Sequence, residues 1–355
     1  MSTSLKRVLQ FLLFLGLGIG MMTLVFSSQN TAFQEQCALD GIPASECSLL
    51  RKLWSDFTSV STTWILLVVT AFTISNLLRA LRWQMLLQPM GYRPSLANSF
   101  LPILLGYFAN LGFPRLGELM RATAMSRYEH IPLEKVFGTL VIDRLMDFLC
   151  LLLVLGLAFT LEADTIWGFI QQNQQSTGRP ESNAWRQRAL PVVVALLFLS
   201  AGILWAFKDR LQQNSLVQKM QGMLLGFADG LRSVFRMSSP GKFLLYSAGI
   251  WLMFYLQALF NLKAFEPTST LDGQAALMVF VFGTLGFIIP SPGGMGTYHA
   301  LCIAALALYG ISGNDAFSYA NISFFAVQIF YNLAGGLLAL ILLPLINKKN
   351  APAQR

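Results

Sequence analysis

Long apolar runs separated by short polar segments dominate the chain. Residues 8–26, 62–87, 136–161, 189–207, 243–264 and 318–346 each read as a membrane-crossing helix, which needs about 20 mostly apolar residues. Two further apolar stretches are interrupted. Residues 98–113 end in Phe113-Pro114-Arg115-Leu116-Gly117-Glu118, and 274–290 end in Pro290-Ser291-Pro292-Gly293-Gly294-Met295-Gly296; shorter runs, 116–126 and 297–311, follow them. Proline stops a helix and glycine accepts backbone conformations that other residues avoid, so each segment is predicted to be a helical hairpin with a broken tip. The expected fold is an all-α polytopic membrane helix bundle with six full spans and two opposed re-entrant hairpins, one integral membrane domain over 1–355.

Composition agrees with lipid as the solvent. Of 355 residues, 55% are hydrophobic and 12% charged, about half the charged share of a soluble protein. The net charge of +8 comes from Lys and Arg beside helix ends rather than from a basic surface, so nucleic acid is not an expected partner. Lys6, Arg7, Lys348, Lys349 and the basic segment 208–242 place both termini and that segment in the cytoplasm, in a multi-pass inner (plasma) membrane protein. Within 208–242, Leu216, Met220, Met223, Phe227 and Leu231 recur at helical spacing, as in an amphipathic helix on the interface or packed on the bundle.

The acidic loop 27–61 falls outside, together with 162–188 and 265–273, while 88–98 and 127–135 fall inside. The first hairpin then enters from the cytoplasm and the second from outside. Such opposed interrupted segments point to an inverted-repeat transporter site, although Gly106–Pro114 echoes Gly283–Pro290 only loosely. Close helix packing at small residues is the other account of these glycines. Cys37 and Cys47 share the outer loop, where a disulfide is permitted but not fixed by spacing. The N-terminal apolar run is longer than a signal-peptide core and lacks a small-residue cleavage motif, so a retained first helix is expected.

The candidate chemistry is charge at membrane depth, where one ion costs roughly 2.5–3.5 kcal/mol even on a lenient scale. Asp143 and Asp147 are four apart on one helix face, with Arg144 three from Asp147. They lie roughly 10–16 Å into a span that starts near Val136. They either fix helix register as a buried ion network or line a transport cavity. Arg115, Glu118 and Arg121 recur at threes after the first tip. A broken helix there favours an anion, and arginine favours phosphate; alternatively Arg115 and Arg121 neutralise Glu118 and Asp143 or Asp147. Arg79 and Arg82, beside Trp83, read first as snorkelling cations at an interface and second as contacts for an incoming headgroup. Asn110 suits either broken backbone or substrate. The Pro292-Gly293-Gly294-Met295-Gly296 tip exposes backbone groups but has no Gly-Lys-Ser/Thr, so it is not a nucleotide loop. His299 is a packing residue or a proton-coupling group. No His/Cys/Asp cluster has metal-ligand spacing, and no cofactor is expected.

Arg82-Trp83, Asn110 with Pro114-Arg115-Leu116-Gly117-Glu118 and Arg121, Asp143-Arg144 with Asp147, and Pro292-Gly293-Gly294-Met295-Gly296 together resemble the lysylphosphatidylglycerol synthase transmembrane region, a flippase-like family. The resemblance covers nearly the whole chain in order. It implies a lipid-translocating bundle whose substrate contacts are Arg82, Asn110, Arg115, Glu118, Arg121, Asp143, Arg144, Asp147, Pro292, Gly293, Gly294, Gly296 and His299. The family usually has Glu at the position of Asp143 and often an acidic residue near His299, so the resemblance does not fix the charge preference of the substrate. Nine residues follow the last span, so neither the soluble aminoacyl-transferase domain nor lysyl-lipid synthesis is expected. The expected function is a flippase or scramblase, not an enzyme, for a phospholipid or polyprenyl-phosphate-linked lipid with an anionic headgroup. A lipid-modifying transferase and a non-transporting helper of a glycosyltransferase are the alternatives. A second copy of the chain or a glycosyltransferase stands open as protein partner.

Overall fold

The computed structural model describes residues 47–112, 116–165, 239–289 and 294–348, with Ser291, residues 167–168 and parts of 23–38. The chain divides into two compact units, residues 1–162 with 239–355, and residues 163–238. Only a few residues of the second are described. The expected span 189–207 and the expected amphipathic segment over 208–238 lie outside the described residues, as does most of the span 8–26.

The described residues form helices and turns, with no strand among them. An amphipathic helix α1 (Leu49–Ser59) is capped by Ser48, whose hydroxyl accepts from the Arg51 amide. Then follow α2 (Thr62–Leu87), α3 (Leu96–Gly112), α4 (Leu116–Glu129), α5 (Leu133–Leu161), α6 (Pro240–Ala264), α7 (Gly273–Ile288), α8 (Thr297–Ala307), α9 (Gly313–Phe324) and α10 (Asn332–Ile346). A π-helical turn, Phe325–Tyr331, joins the last two without a break. Pro240 opens α6 at a position where a missing amide costs nothing, and Asp272 caps α7 by accepting from the amides of Gln274 and Ala275 at 3.0 Å. Among the described residues, three helical stretches have the length and apolarity of a span: Thr62–Met90, Pro240–Ala264 and Gly313–Ile346. Helix α5, 29 residues long, is comparable in length but carries the Asp143–Asp147 charges.

Hydrogen bonds between helix ends fix the direction of each helix. The amide of Ser61 donates to the Ala264 carbonyl at 3.0 Å, Lys52 bridges to Asp315 at 2.8 Å, and Tyr309 donates to Glu162 at 2.9 Å. Those residues gather at one end of the bundle, near the Cys37–Cys47 disulfide. At the other end Asn98 donates to both Glu129 (2.7 Å) and Asn347 (2.9 Å), and Lys135 reaches Tyr92 at 3.2 Å. Both feet of the α3–α4 hairpin therefore stand at one end, and both feet of α7–α8 at the opposite end. The two hairpins are opposed, as the apolar pattern predicts.

The order long helix, hairpin, long helix occurs twice, in α2–α5 and in α6–α10. Helices α2 and α6, antiparallel, make the most extensive contact in the bundle. The first hairpin packs on α10 and the second on α5, so each hairpin leans on the closing span of the other half. Two close approaches hold the hairpins shut. A Cβ on Gly117 would collide with the Gly106 carbonyl oxygen, and a Cβ on Gly286 would lie 2.7 Å from the Cα of Tyr298. The small-residue packing account of these glycines is correct at both places. Outward faces of the helices carry exposed Leu153, Leu245 and Ile341, as suits contact with lipid tails.

Candidate functional site

Helix α2 turns one polar stripe, Ser75, Asn76, Arg79 and Arg82, into the protein. Its spacing of three and four residues puts these groups on one face. Helix α5 meets that face with Asp143 and Asp147, also four apart. Arg82 donates to Asp143 through Nε (2.9 Å) and Nη2 (2.6 Å), and Nη2 also reaches Asp147 at 2.6 Å. Arg79 donates to Asp147 at 2.8 Å. From the first hairpin, Arg121 donates to the second oxygen of Asp143 at 3.2 Å, and its guanidinium stacks 4.0 Å from the centre of the Trp83 ring. Trp83 in turn donates to Thr139 on α5 at 2.9 Å. Three elements are thereby locked by one charge cluster. The reading of Arg79 and Arg82 as snorkelling cations is overturned: they are 4% and 0% exposed, because two carboxylates across the helix interface hold them inside.

An outer layer covers this core. Arg144 donates to Glu118 at 2.6 Å and lies 3.8 Å from Asp147; the Arg144 and Glu118 side chains are about half exposed. Glu118 is therefore neutralised by Arg144 and not by Arg121. Together Arg79, Arg82, Arg121 and Arg144 face Asp143, Asp147 and Glu118, an excess of one cation among the described residues. Arg79 Nε and Arg121 Nε and Nη2 are buried with no hydrogen-bond partner there.

The cluster forms one end of a partly open cavity of about 730 Å³. Arg79, Glu118, Arg144 and Asp147 are on its wall, with Asn110 and Leu111 from the first hairpin. The second hairpin contributes Thr284, Phe287, Ser291, Gly294 and Tyr298, and the π-helical turn contributes Val327 and Gln328. π-Helical turns inside α-helices recur at functional sites. Most of the remaining wall is apolar or aromatic, including Phe72, Phe148 and Phe254. Charge at one end of an apolar chamber matches the two halves of an amphiphile.

The residues expected to contact substrate separate into groups. Asn110, Glu118, Arg144, Asp147 and Gly294 are on the cavity wall. Asn110 also accepts from the Gly117 amide at 2.7 Å, so it satisfies backbone freed at the start of α4. Arg82, Arg121 and Asp143 stand behind the wall and hold it in place. Gly296, at φ 81°, starts α8 away from the cavity wall. His299 is fully buried among Tyr298, Phe317 and Phe324 and does not reach the cavity, since its helix turns that side into the aromatic core. Arg115, Pro292 and Gly293 lie outside the described residues. Arg79 was anticipated only by its second reading, as a headgroup contact, and the polar wall residues Gln257 and Asn261 escaped sequence reasoning as contacts for the cavity. Trp251, Phe254, Gln257 and Asn261 recur at threes and fours along α6, and two amides inside an apolar span were the available signal. No metal-holding group of three or more His, Cys, Asp or Glu occurs among the described residues.

Fold and site define an all-helical membrane protein with opposed hairpins around a chamber that is charged at its wall. Residues 48–335 match the family described as the lysylphosphatidylglycerol synthase TM region, and the chain belongs to that family. It is 29% identical over 266 residues, 66% of this chain, to glycosyltransferase AglD of Haloferax volcanii. It is 35% identical over 86 residues, 23% of this chain, to UPF0104 membrane protein MJ1595 of Methanocaldococcus jannaschii. The matched parts are 42% and 25% of those proteins, so the chain spans less than half of either relative. No solved structure matches the chain.

Proposed function

We propose that the protein moves a phospholipid or polyprenyl-phosphate-linked lipid between leaflets, with the headgroup in the cavity and the tails in the bilayer. The observation that carries this reading is a charge cluster with one cation in excess among the described residues, from which Arg79 and Arg144 reach the wall of an apolar chamber lined by both hairpins. A phosphate takes the unmatched positive charge, and arginine offers it paired donors. The half-exposed Arg144–Glu118 pair is worth about 0–1 kcal/mol by its exposure, so it exchanges for phosphate at little cost. The network behind it stays closed. In this reading the protein is a carrier and not an enzyme, its carboxylates serving as counter-ions to arginine. The basic residues at Lys6, Arg7, Lys348 and Lys349 support an inner-membrane protein with both termini in the cytoplasm. Drive then comes from an ion or lipid gradient.

A second reading has one observation in its favour, the similarity over 66% of this chain to a protein named a glycosyltransferase. In it the chain assists such an enzyme without moving lipid. The two readings separate in liposomes that hold the purified protein and headgroup-labelled lipids, followed with an impermeant quencher. Carriage predicts loss of signal well beyond the outer-leaflet half, slowed at least about tenfold by Arg144→Gln, which removes roughly one charge-assisted bond. No movement of anionic, zwitterionic or polyprenyl-phosphate lipids, with or without an ion gradient, would favour the helper.

A further inference from the structure

The cavity has a second polar region that the arginine cluster does not explain. Asn261 on α6 is 2% exposed and on the cavity wall. Its Nδ2 donates to the Ser323 hydroxyl at 3.0 Å, while its Oδ1 has no partner among the described residues. Tyr298 donates to the same Ser323 oxygen at 2.8 Å. Ser323 thus accepts twice, and its own hydrogen is left to donate. Trp251, also on the wall with its indole N–H buried and unpartnered among the described residues, is ten residues from Asn261 on α6, roughly 15 Å along the helix and beside Phe254. An unmade hydrogen bond on a buried group is costly, so such atoms mark places where a ligand or water completes the structure.

The chemistry of this region is neutral. Among the described residues the charged groups on the wall are Arg79, Glu118, Arg144 and Asp147, and both carboxylates are already bonded to arginine. A headgroup ammonium finds no free carboxylate. A hydroxyl, which donates and accepts at once, suits an amide oxygen beside a serine hydroxyl. Phe254 lies 5.9 Å under the Arg79 guanidinium, and Asn261 is seven residues further along the same helix, roughly 10 Å away. That separation matches a phosphate and the far hydroxyls of one headgroup.

From this we infer that Asn261 and Ser323 form a subsite for uncharged hydroxyls, so that the substrate is a phosphate lipid with a glycerol- or sugar-type headgroup. The inference rests on the carrier reading for its physiological meaning, but its test reads binding and stands without transport. The full-length protein in detergent is titrated with short-chain phosphatidylglycerol, phosphatidic acid and phosphatidylethanolamine, and with a short polyprenyl phosphate bearing a hexose. Ligand-induced thermal stabilisation gives each affinity. Phosphatidylglycerol or the hexosyl lipid binds about tenfold tighter than phosphatidic acid, the value of one to two extra hydrogen bonds; which of the two leads tells glycerol from sugar. Asn261→Leu and, separately, Ser323→Ala each bring that ratio to within about twofold. Phosphatidylethanolamine binding as tightly as the hydroxyl lipids, or a ratio unmoved by both variants, overturns the subsite. Selective binding without movement in liposomes overturns the carrier reading and leaves the subsite standing.

Discussion

Asp143→Asn removes one charge and leaves its shape. Asp143 is fully buried, bonded to Arg82 at 2.6 and 2.9 Å and to Arg121 at 3.2 Å, with Arg79 at 3.9 Å. Its loss leaves three buried arginines facing Asp147 alone. Breaking a buried pair from one side costs about 3–5 kcal/mol. At about 2–4 °C per kcal/mol for a chain of a few hundred residues, the melting temperature in detergent falls by roughly 6–20 °C. Glu118→Gln removes a carboxylate of the same network whose side chain is 45% exposed, and by exposure it costs about 0–1 kcal/mol, no more than about 4 °C. Adding Arg121→Met to Asp143→Asn restores part of the loss, because it removes the cation that Asp143 neutralised. Thermal unfolding followed by thiol-dye or tryptophan fluorescence reads all of these. Equal shifts for Asp143→Asn and Glu118→Gln would refute the division into a buried core and an exchangeable outer layer.

Gly286→Ala should cost about 1–3 kcal/mol, since its Cβ would lie 2.7 Å from the Tyr298 Cα, whereas Gly138→Ala, with open space around it, should be neutral; melting temperatures of the two variants check this. Lys52, outside the spans, is pushed down by burial, but bonds to Asp315 and Asp56 outweigh this and hold its pKa above the usual 10.5. Its contribution to stability is therefore complete below the unfolded lysine value and is lost as pH rises through the higher folded one. Above pH 7 the difference in stability between the wild type and Lys52→Met should hold until that alkaline range and shrink there; a difference that shrinks on going from alkaline pH down to pH 7 would contradict the sign.

Much of the fold was legible from apolar runs. The spans 62–87, 136–161 and 243–264 correspond to Thr62–Leu87, Leu133–Leu161 and Pro240–Ala264 within a few residues. The hairpins were legible because proline and glycine interrupt a pattern that is otherwise continuous. The last span begins at Gly313, five residues before the apolar run at 318, since Ser312, Asn314 and Asp315 cap and start a helix that hydropathy excludes. Charge at membrane depth marked α5 and the first hairpin as the site. What it left open was pairing across helices: Arg82 and Asp143 are 61 residues apart, and only packing of α2 on α5 brings them together. The neutral end of the cavity left a fainter trace, because an isolated Asn or Ser in an apolar run gives no sign of which wall it faces. His299 reads alike in sequence whether it lines a cavity or fills an aromatic core.

The central claim is that a lipid headgroup occupies the cavity between the hairpins. Photo-crosslinking in native-composition vesicles tests it directly, using a phospholipid with a diazirine in its headgroup and mapping the labelled peptides. The account predicts adducts on peptides that hold Leu111, Phe148 and Phe287, competed by unlabelled anionic lipid and weakened by Arg144→Gln. Adducts confined to outward-facing residues such as Leu153 and Ile341, unaffected by that variant, would contradict it.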